Sequence, residues 1–71
     1  MNKSPKKEDT KQRILDEALR LFSQSGYDAV SVERIATAVG IKAPSLYKHF
    51  KSKQEIFDAI VAETYRRYDT S

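Results

Sequence analysis

The chain has 71 residues, of which 39% are hydrophobic and 32% charged, with a net charge of +3. It is too apolar for a disordered tail and too charged for a membrane-spanning protein, so one small globular domain is expected. Its basic N-terminus is followed by no apolar stretch, which predicts no export signal and a cytoplasmic protein. With no cysteine and one histidine, we expect no disulfide, metal site or cofactor. So small an interior has little room for an active site, which argues against an enzyme.

Positive charge is concentrated in two parts of the chain. Residues 1–13 hold five basic and two acidic side chains, and residues 41–53 hold four lysines and no acid. The other segments are slightly acidic. This distribution suits a protein that touches a polyanion along one side, although similar lysine clusters also occur on ordinary solvated surfaces.

Apolar spacing predicts four helices and therefore an all-α fold, a small helical bundle. Residues 1–9 lack periodicity and are predicted to form a flexible basic arm. Helix one follows Thr10, a possible N-cap, and ends at Gly26. Helix two follows the N-cap Ser31 and ends at Gly40. The buried stripes comprise Ile14, Leu15, Ala18, Leu21 and Phe22 in helix one, and Val32, Ile35, Ala36 and Val39 in helix two.

Helix three is predicted to begin with Pro44 and to end near Phe50. Helix four begins with a capping box formed by Ser52 and Glu55. Its apolar stripe comprises Ile56, Phe57, Ile60, Val61, Thr64, Tyr65 and Tyr68. The other helices are too short to cover this whole stripe, so its end either meets something missing or carries two ordinary surface tyrosines.

Helices two and three, joined by a short turn with glycine, match the helix-turn-helix unit. A rotation of about 100° per residue turns Leu46, Phe50 and Ala43 toward the core. Pro44, Ser45 and Lys48 then face outward, with Tyr47 and His49 at the flanks. The outward side contains no carboxylate that phosphate would repel.

Each candidate contact has a chemical reason. Lys48 can reach a guanine edge or a phosphate, Ser45 can donate or accept, and Ala43 and Pro44 can meet a thymine methyl. The hydroxyl of Tyr47 suits a phosphate oxygen. Helix N-termini attract anions, which adds Lys53 in helix four, and Ser31 with the first-turn amides from Val32 in helix two. Alternatively, Tyr47 is a core-edge aromatic, Ser31 a cap and His49 a surface histidine.

An ordered set of residues between Ile14 and Phe57 resembles the DNA-binding domain of the TetR family of bacterial transcriptional regulators. The set comprises Ile14, Leu15, Ala18, Leu21, Phe22, Gly26, Tyr27, Ile35, Ala36, Gly40, Leu46, Tyr47, Phe50 and Lys53. The resemblance implies a three-helix, homeodomain-like helix-turn-helix domain plus a fourth linker helix. It makes 31–50 the helix-turn-helix, 44–50 the recognition helix in the major groove, and Tyr47 and Lys53 contacts to the DNA backbone. One departure is Lys42 before Ala43, where members often carry a Ser or Thr cap; the added charge favours phosphate.

The same resemblance implies a regulator, most often a repressor, that binds a palindromic operator as a homodimer. Family members continue into a C-terminal domain that dimerises and binds a small-molecule effector, and that domain is expected to be absent from this chain. Residues 10–71 are then a DNA-binding domain that is monomeric and binds duplex weakly, near about 10⁻⁴ to 10⁻⁶ M.

Two other functions remain open at this stage. A small protein-interaction module would use the apolar stripe of helix four, so that Tyr65→Ala abolishes partner binding and Lys48→Ala has no effect. Hydrolytic or metal-dependent catalysis has no supporting residues, and added divalent metal should leave the melting temperature unchanged.

Overall fold

The computed structural model describes the backbone of residues 6–70 and the side chains of residues 10–65. Every regular element in that range is a helix: α1 (Lys6–Ser25), α2 (Val32–Val39), α3 (Ala43–Tyr47) and α4 (Lys53–Thr70). α1 packs against both α2 and α4, and α3 packs against α2. The prediction of an all-α bundle with four helices is thus confirmed for the described residues.

Helix α1 begins earlier than the apolar pattern predicts. It starts at Lys6, so Thr10 lies inside the helix rather than at its N-cap, and residues 6–9 of the predicted arm are helical. Residues 6–13 include no apolar side chain, so hydrophobic periodicity carries no signal there, whereas Lys, Glu and Gln are good helix formers. Residues 1–5 of the predicted arm lie outside the described residues.

Helix α2 has the two ends that the sequence predicts. Ser31 Oγ accepts a 3.0 Å hydrogen bond from the backbone N–H of Arg34, which satisfies one of the unpaired amides of the first turn. Gly40 ends the helix with a φ of +93°. The N–H groups of Gly40 and Ile41 donate to the carbonyls of Thr37 and Ala36, at 3.1 and 2.9 Å. This pair of bonds is a Schellman motif, for which a left-handed residue such as glycine is required.

Helix α3 is shorter than predicted. It comprises Ala43–Tyr47, so Lys48 and His49 form a turn rather than a further helical turn. Lys42 provides no side-chain cap; instead its carbonyl accepts from the N–H groups of Ser45 and Leu46, at 2.9 and 3.2 Å. The predicted continuation to Phe50 is therefore wrong: the amides of Lys48 and His49 donate to the carbonyls three residues earlier, at 3.2 and 2.8 Å, so the chain tightens into a turn after Tyr47.

One hydrophobic core holds the four helices together. Its buried members are Ile14, Leu15, Ala18, Leu21, Val30, Val32, Ile35, Ala36, Val39, Leu46, Phe50 and Ile56. The apolar pattern missed Val30, which lies in the connector before α2. Val30 precedes the N-cap Ser31, and Ile35 is the fourth residue of the helix, which are the two positions of a hydrophobic staple. That sequence relationship was the available signal.

Helix α4 is covered near its beginning and open farther along. Ile56 is fully buried and Ile60 is half-buried, whereas Phe57, Val61 and Tyr65 are exposed. The exposure of Val61 and Tyr65 agrees with the expectation that the other helices are too short to cover the whole stripe, whereas Phe57 is more exposed than its place near the start of the stripe predicts. The side chain of Tyr68 lies outside the described residues. No helix in the described part of the chain is both long and apolar enough to span a membrane.

The predicted capping box of α4 is half formed. Ser52 Oγ accepts a 3.2 Å hydrogen bond from the N–H of Glu55, as expected. The carboxylate of Glu55, however, accepts from the N–H of Lys51 at 2.8 Å, one residue before the amide that a capping box uses. Two hydrogen bonds therefore still stabilise the start of α4, at the position that the sequence predicts.

Candidate nucleic-acid interface

The side chains of α3 are arranged as the helical rotation predicts. Leu46 is fully buried, and Ala43 is half-buried beside it. Pro44, Ser45 and Lys48 are exposed. Because α3 packs on α2 through its inner side, the outer side is available to a partner along the whole length of the helix.

Two residues at the flanks of α3 differ from each other in exposure. Tyr47 is 44% exposed, which is more than a residue that closes the core would be. His49 is half-buried in the turn that follows the helix. The phenolic hydroxyl of Tyr47 is therefore the better placed of the two to meet a ligand from solvent.

Four lysines lie within the helix-turn-helix or directly after it, and three of them are exposed. Lys42, Lys48 and Lys51 present ammonium groups to solvent, whereas Lys53 is half-buried. Residues 41–53 contain four lysines and no Asp or Glu. A local excess of cations of this kind favours contact with a polyanion.

Lys53 has protein partners for its charge. Its Nζ donates hydrogen bonds to the carbonyls of Tyr27 and Val30, at 2.8 and 2.9 Å. It also lies 4.2 Å from the centroid of the Tyr27 ring, within the range of a cation–π interaction. The sequence assigns Lys53 to phosphate and does not reveal this structural role, since Lys53 is 26 and 23 residues from Tyr27 and Val30 along the chain.

An aromatic cluster supports the same junction. The ring centroids of Phe22 and Tyr27 are 5.2 Å apart, and those of Tyr27 and Phe57 are 5.5 Å apart. These distances are typical of stabilising aromatic pairs. The cluster joins the end of α1, the connector and the beginning of α4, and so supports the connector that leads into α2.

The N-terminus of α2 offers backbone rather than side-chain groups. Ser31 is exposed, but its hydroxyl oxygen already caps the helix. The side chain of Val32 is 8% exposed and belongs to the core. Any contact from Val32 must therefore come from its amide, which lies in the first turn, where N–H groups have no helical acceptor.

Arg13 is a residue of this region that sequence reasoning missed. Its Nη2 donates a 2.7 Å hydrogen bond to the carbonyl of Val39, the last residue of α2. Lys11 lies two residues earlier in α1, and its Nζ is 5.7 Å from the centroid of the Phe50 ring. The polar residues at the start of α1 gave no apolar pattern, so nothing in the sequence showed which of them face the helix-turn-helix.

The described residues include no group of side chains arranged for metal-dependent catalysis. They include no group of three or more His, Cys, Asp or Glu side chains that could hold a metal ion. His49 is the single histidine of the chain, and the structure gives its side chain no hydrogen-bonded acid or base in the described range.

Two short helices at a three-residue turn, the second with a small, polar and cationic outer side, define the class of helix-turn-helix DNA-binding domains. Comparison with known proteins agrees. The family described as "Bacterial regulatory proteins, tetR family" matches residues 14–60. The chain belongs to the TetR family of bacterial regulatory proteins.

Curated relatives show the same class. The chain is 47% identical over 53 residues to the HTH-type transcriptional regulator AcrR of Shigella flexneri, covering 75% of this chain and 25% of that protein. It is also 47% identical over 51 residues to IcaR of Staphylococcus aureus (strain Newman), a negative transcriptional regulator of the biofilm operon icaADBC, covering 72% of this chain and 27% of that protein. The chain thus spans about a quarter of the length of these relatives.

Proposed function

We propose that this chain is the sequence-specific, double-stranded DNA-binding module of a bacterial transcriptional regulator, with α3 in the major groove. The observation that carries the proposal is the outer side of residues 42–48, which is exposed, free of carboxylates and backed by a buried Leu46. Five residues of helix are about 7.5 Å long, which suits a groove about 12 Å wide.

Base contacts are assigned to the outer side of α3 and the turn after it. Lys48 donates to a guanine edge, and Ser45 donates to or accepts from a base. Ala43 and Pro44 make apolar contact with a thymine methyl. His49, half-buried in the turn, contributes at the edge of this surface.

Phosphate contacts are assigned around the base-reading surface. Tyr47 donates its hydroxyl hydrogen to a phosphate oxygen, and Lys42 supplies an exposed cation at the start of α3. Ser31 and the amide of Val32 offer the N-terminus of α2 to a second phosphate. Lys53 uses two of its three N–H groups on carbonyls, so it offers phosphate one donor.

The matched segment makes up about a quarter of the length of the relatives. For a protein of their length, we propose a homodimer that represses transcription at a palindromic operator. Two recognition helices about 34 to 36 Å apart would meet successive major grooves on one side of the duplex. A separate domain would form the dimer and bind a small-molecule effector. The present chain would be monomeric, which sedimentation velocity measures directly. The longer protein would act in the cytoplasm.

The test is a two-dimensional amide NMR titration of the chain with a short duplex at low and moderate salt. We expect the shifts to concentrate at residues 31–33, 42–49 and 53, and to diminish as salt rises because phosphate contacts release counterions. A parallel titration with heparin, a polyanion without base pairs or grooves, separates general charge attraction from recognition of the duplex.

Two outcomes would contradict the proposal. Absence of shifts with duplex at low salt would exclude DNA binding by this chain. Shifts confined to residues 3–11, and identical with heparin, would show a polycationic segment rather than a helix-turn-helix interface. In either case the exposed apolar residues of α4 and a protein partner would become the alternative to pursue.

A further inference from the structure

The carbonyl groups at the end of α2 are satisfied from two different sources. Those of Ala36 and Thr37 accept from the amides of Gly40 and Ile41, within the helix-turn-helix itself. The carbonyl of Val39 accepts from the guanidinium of Arg13, which belongs to α1, at 2.7 Å. A cation at a helix C-terminus also interacts favourably with the helix dipole. The last residue of α2 is therefore held from outside the motif.

The contact between Arg13 and Val39 lies at the start of the turn that leads into α3. Val39 ends α2, and Ala43 begins α3 after only three residues. A helix of five residues buries one fully enclosed side chain, Leu46, and so has little packing with which to fix its own orientation. Its orientation depends on the segments that enter and leave it.

The segment that leaves α3 is also contacted by α1. Phe50 is 5% exposed, and Lys11 Nζ lies 5.7 Å from its ring centroid, within cation–π range. Two residues of α1, only two positions apart, thus contact the segments on both sides of α3. The hydrogen bond of Arg13 is the shorter and more directional of these two contacts.

We propose that Arg13 is a positioning residue for DNA recognition: by binding the carbonyl of Val39 it fixes the end of α2, and with it the direction in which α3 enters the groove. Arg13 acts through α2 and does not contact DNA. This inference rests on the proposed function, because a positioning role has meaning only if α3 reads base pairs.

The experiment compares Arg13→Met with Arg20→Met. Both variants remove one guanidinium from α1, but Arg20 pairs with Glu17 on the surface of the same helix, at 2.6 Å, and contacts no part of the helix-turn-helix in the described structure. The two variants therefore change the net charge equally. Each is titrated, over a range of salt, with the duplex that the unmodified chain selects from a random pool and with a mixed-sequence duplex.

We expect Arg13→Met to bind the selected duplex about threefold to tenfold more weakly, the range that one net hydrogen bond allows. Its affinity for the mixed-sequence duplex should equal that of Arg20→Met, and the slope of log K against log salt should match in both variants. In the free protein, the amide shifts of residues 40–45 should move in Arg13→Met and stay in place in Arg20→Met.

A salt slope lower by about 0.9 for Arg13→Met alone would identify Arg13 as a phosphate contact and overturn the proposal. Equal discrimination between the two duplexes in both variants would also overturn it. If the unmodified chain selects no duplex, the proposed function fails and the inference fails with it, while the amide shifts still show whether Arg13 fixes the turn. If Arg13→Met does not fold, Arg13→Lys, which keeps the charge on a shorter donor, is compared with Arg20→Lys through the affinity for the two duplexes and the amide shifts of residues 40–45.

Discussion

Lys53 Nζ donates a 2.9 Å hydrogen bond to the carbonyl of Val30, and so fastens the first residue of α4 to the connector that precedes α2. A second bond to the carbonyl of Tyr27 and the contact with its ring hold the same ammonium group. The lysine that the family resemblance assigns to the DNA backbone therefore also has a structural task. The structural contacts and the proposed phosphate contact are separable by experiment.

Lys53→Ala should lower both stability and the salt dependence of DNA binding. Loss of charged hydrogen bonds to two carbonyls should reduce the free energy of unfolding by about 1.5 kcal/mol, a large share of what a core this small supplies. Loss of one phosphate contact should weaken binding equally across sequences and lower the salt slope by about 1. Urea denaturation and duplex titrations at several salt concentrations measure the two effects.

Lys51→Ala is the matched control for Lys53→Ala. Lys51 is exposed and two residues earlier, so its replacement should change the free energy of unfolding by less than about 0.5 kcal/mol. Equal stability of the two variants would show that the contacts to Val30 and Tyr27 contribute nothing. An unchanged salt slope in Lys53→Ala would remove Lys53 from the proposed phosphate contacts.

Lys48→Ala should change which base pair is preferred at one position of the selected duplex. Lys48 is exposed at the C-cap of α3, and a lysine that donates to a guanine edge discriminates by about 1 to 3 kcal/mol. Binding to a set of duplexes, each substituted at one position, measures this preference. A uniform loss across the set would assign Lys48 to phosphate instead.

Ser31→Ala and Ser45→Ala should separate a capping role from a contact role. Ser31 caps α2, so its replacement should cost about 1 kcal/mol of stability. Ser45 is exposed in the middle of α3, where alanine is at least as good a helix former. Thermal denaturation should therefore show a lower melting temperature for Ser31→Ala only. DNA titration should show a loss at one base position for Ser45→Ala, and a loss that is equal across sequences for Ser31→Ala, which the proposed function places near a phosphate. A stable Ser31→Ala variant would contradict the capping role.

Gly40→Ala should destabilise the domain through its backbone alone. Gly40 has a φ of +93°, and an added Cβ would meet no atom within 4 Å. The expected loss of about 1 to 2 kcal/mol therefore comes from the left-handed conformation and not from a clash. Gly40→Asn should lose less, because asparagine tolerates this conformation better. Chemical denaturation of both variants tests the order, and equal stabilities would contradict the explanation.

Tyr65→Ala should leave both the free energy of unfolding and the affinity for duplex unchanged. Tyr65 is 69% exposed on α4, and exposed substitutions away from special features alter stability by less than about 0.5 kcal/mol. Denaturation and duplex titration check this together. A loss of DNA binding in this variant would place part of the interface on α4, outside the helix-turn-helix.

From the sequence alone, the four helices, most of the core and the ends of α2 were predictable. These features depend on short-range rules: apolar residues recur at helical spacing, Ser31 precedes a helix, and Gly40 follows one. The resemblance between Ile14 and Phe57 added the family, which the comparison confirms. Features without an apolar or capping signal were missed, such as the first turn of α1 and the early end of α3.

The tertiary structure decided what the charged side chains do. Lysine and arginine have long side chains that reach either solvent or a carbonyl, and local sequence does not distinguish the two. Only the packing of α1 and α4 around α2 brings Arg13 to Val39 and Lys53 to Val30. Since these partners are separated by 26 and 23 residues, no short-range pattern encodes the contacts, and the folded arrangement alone determines which cations remain for DNA.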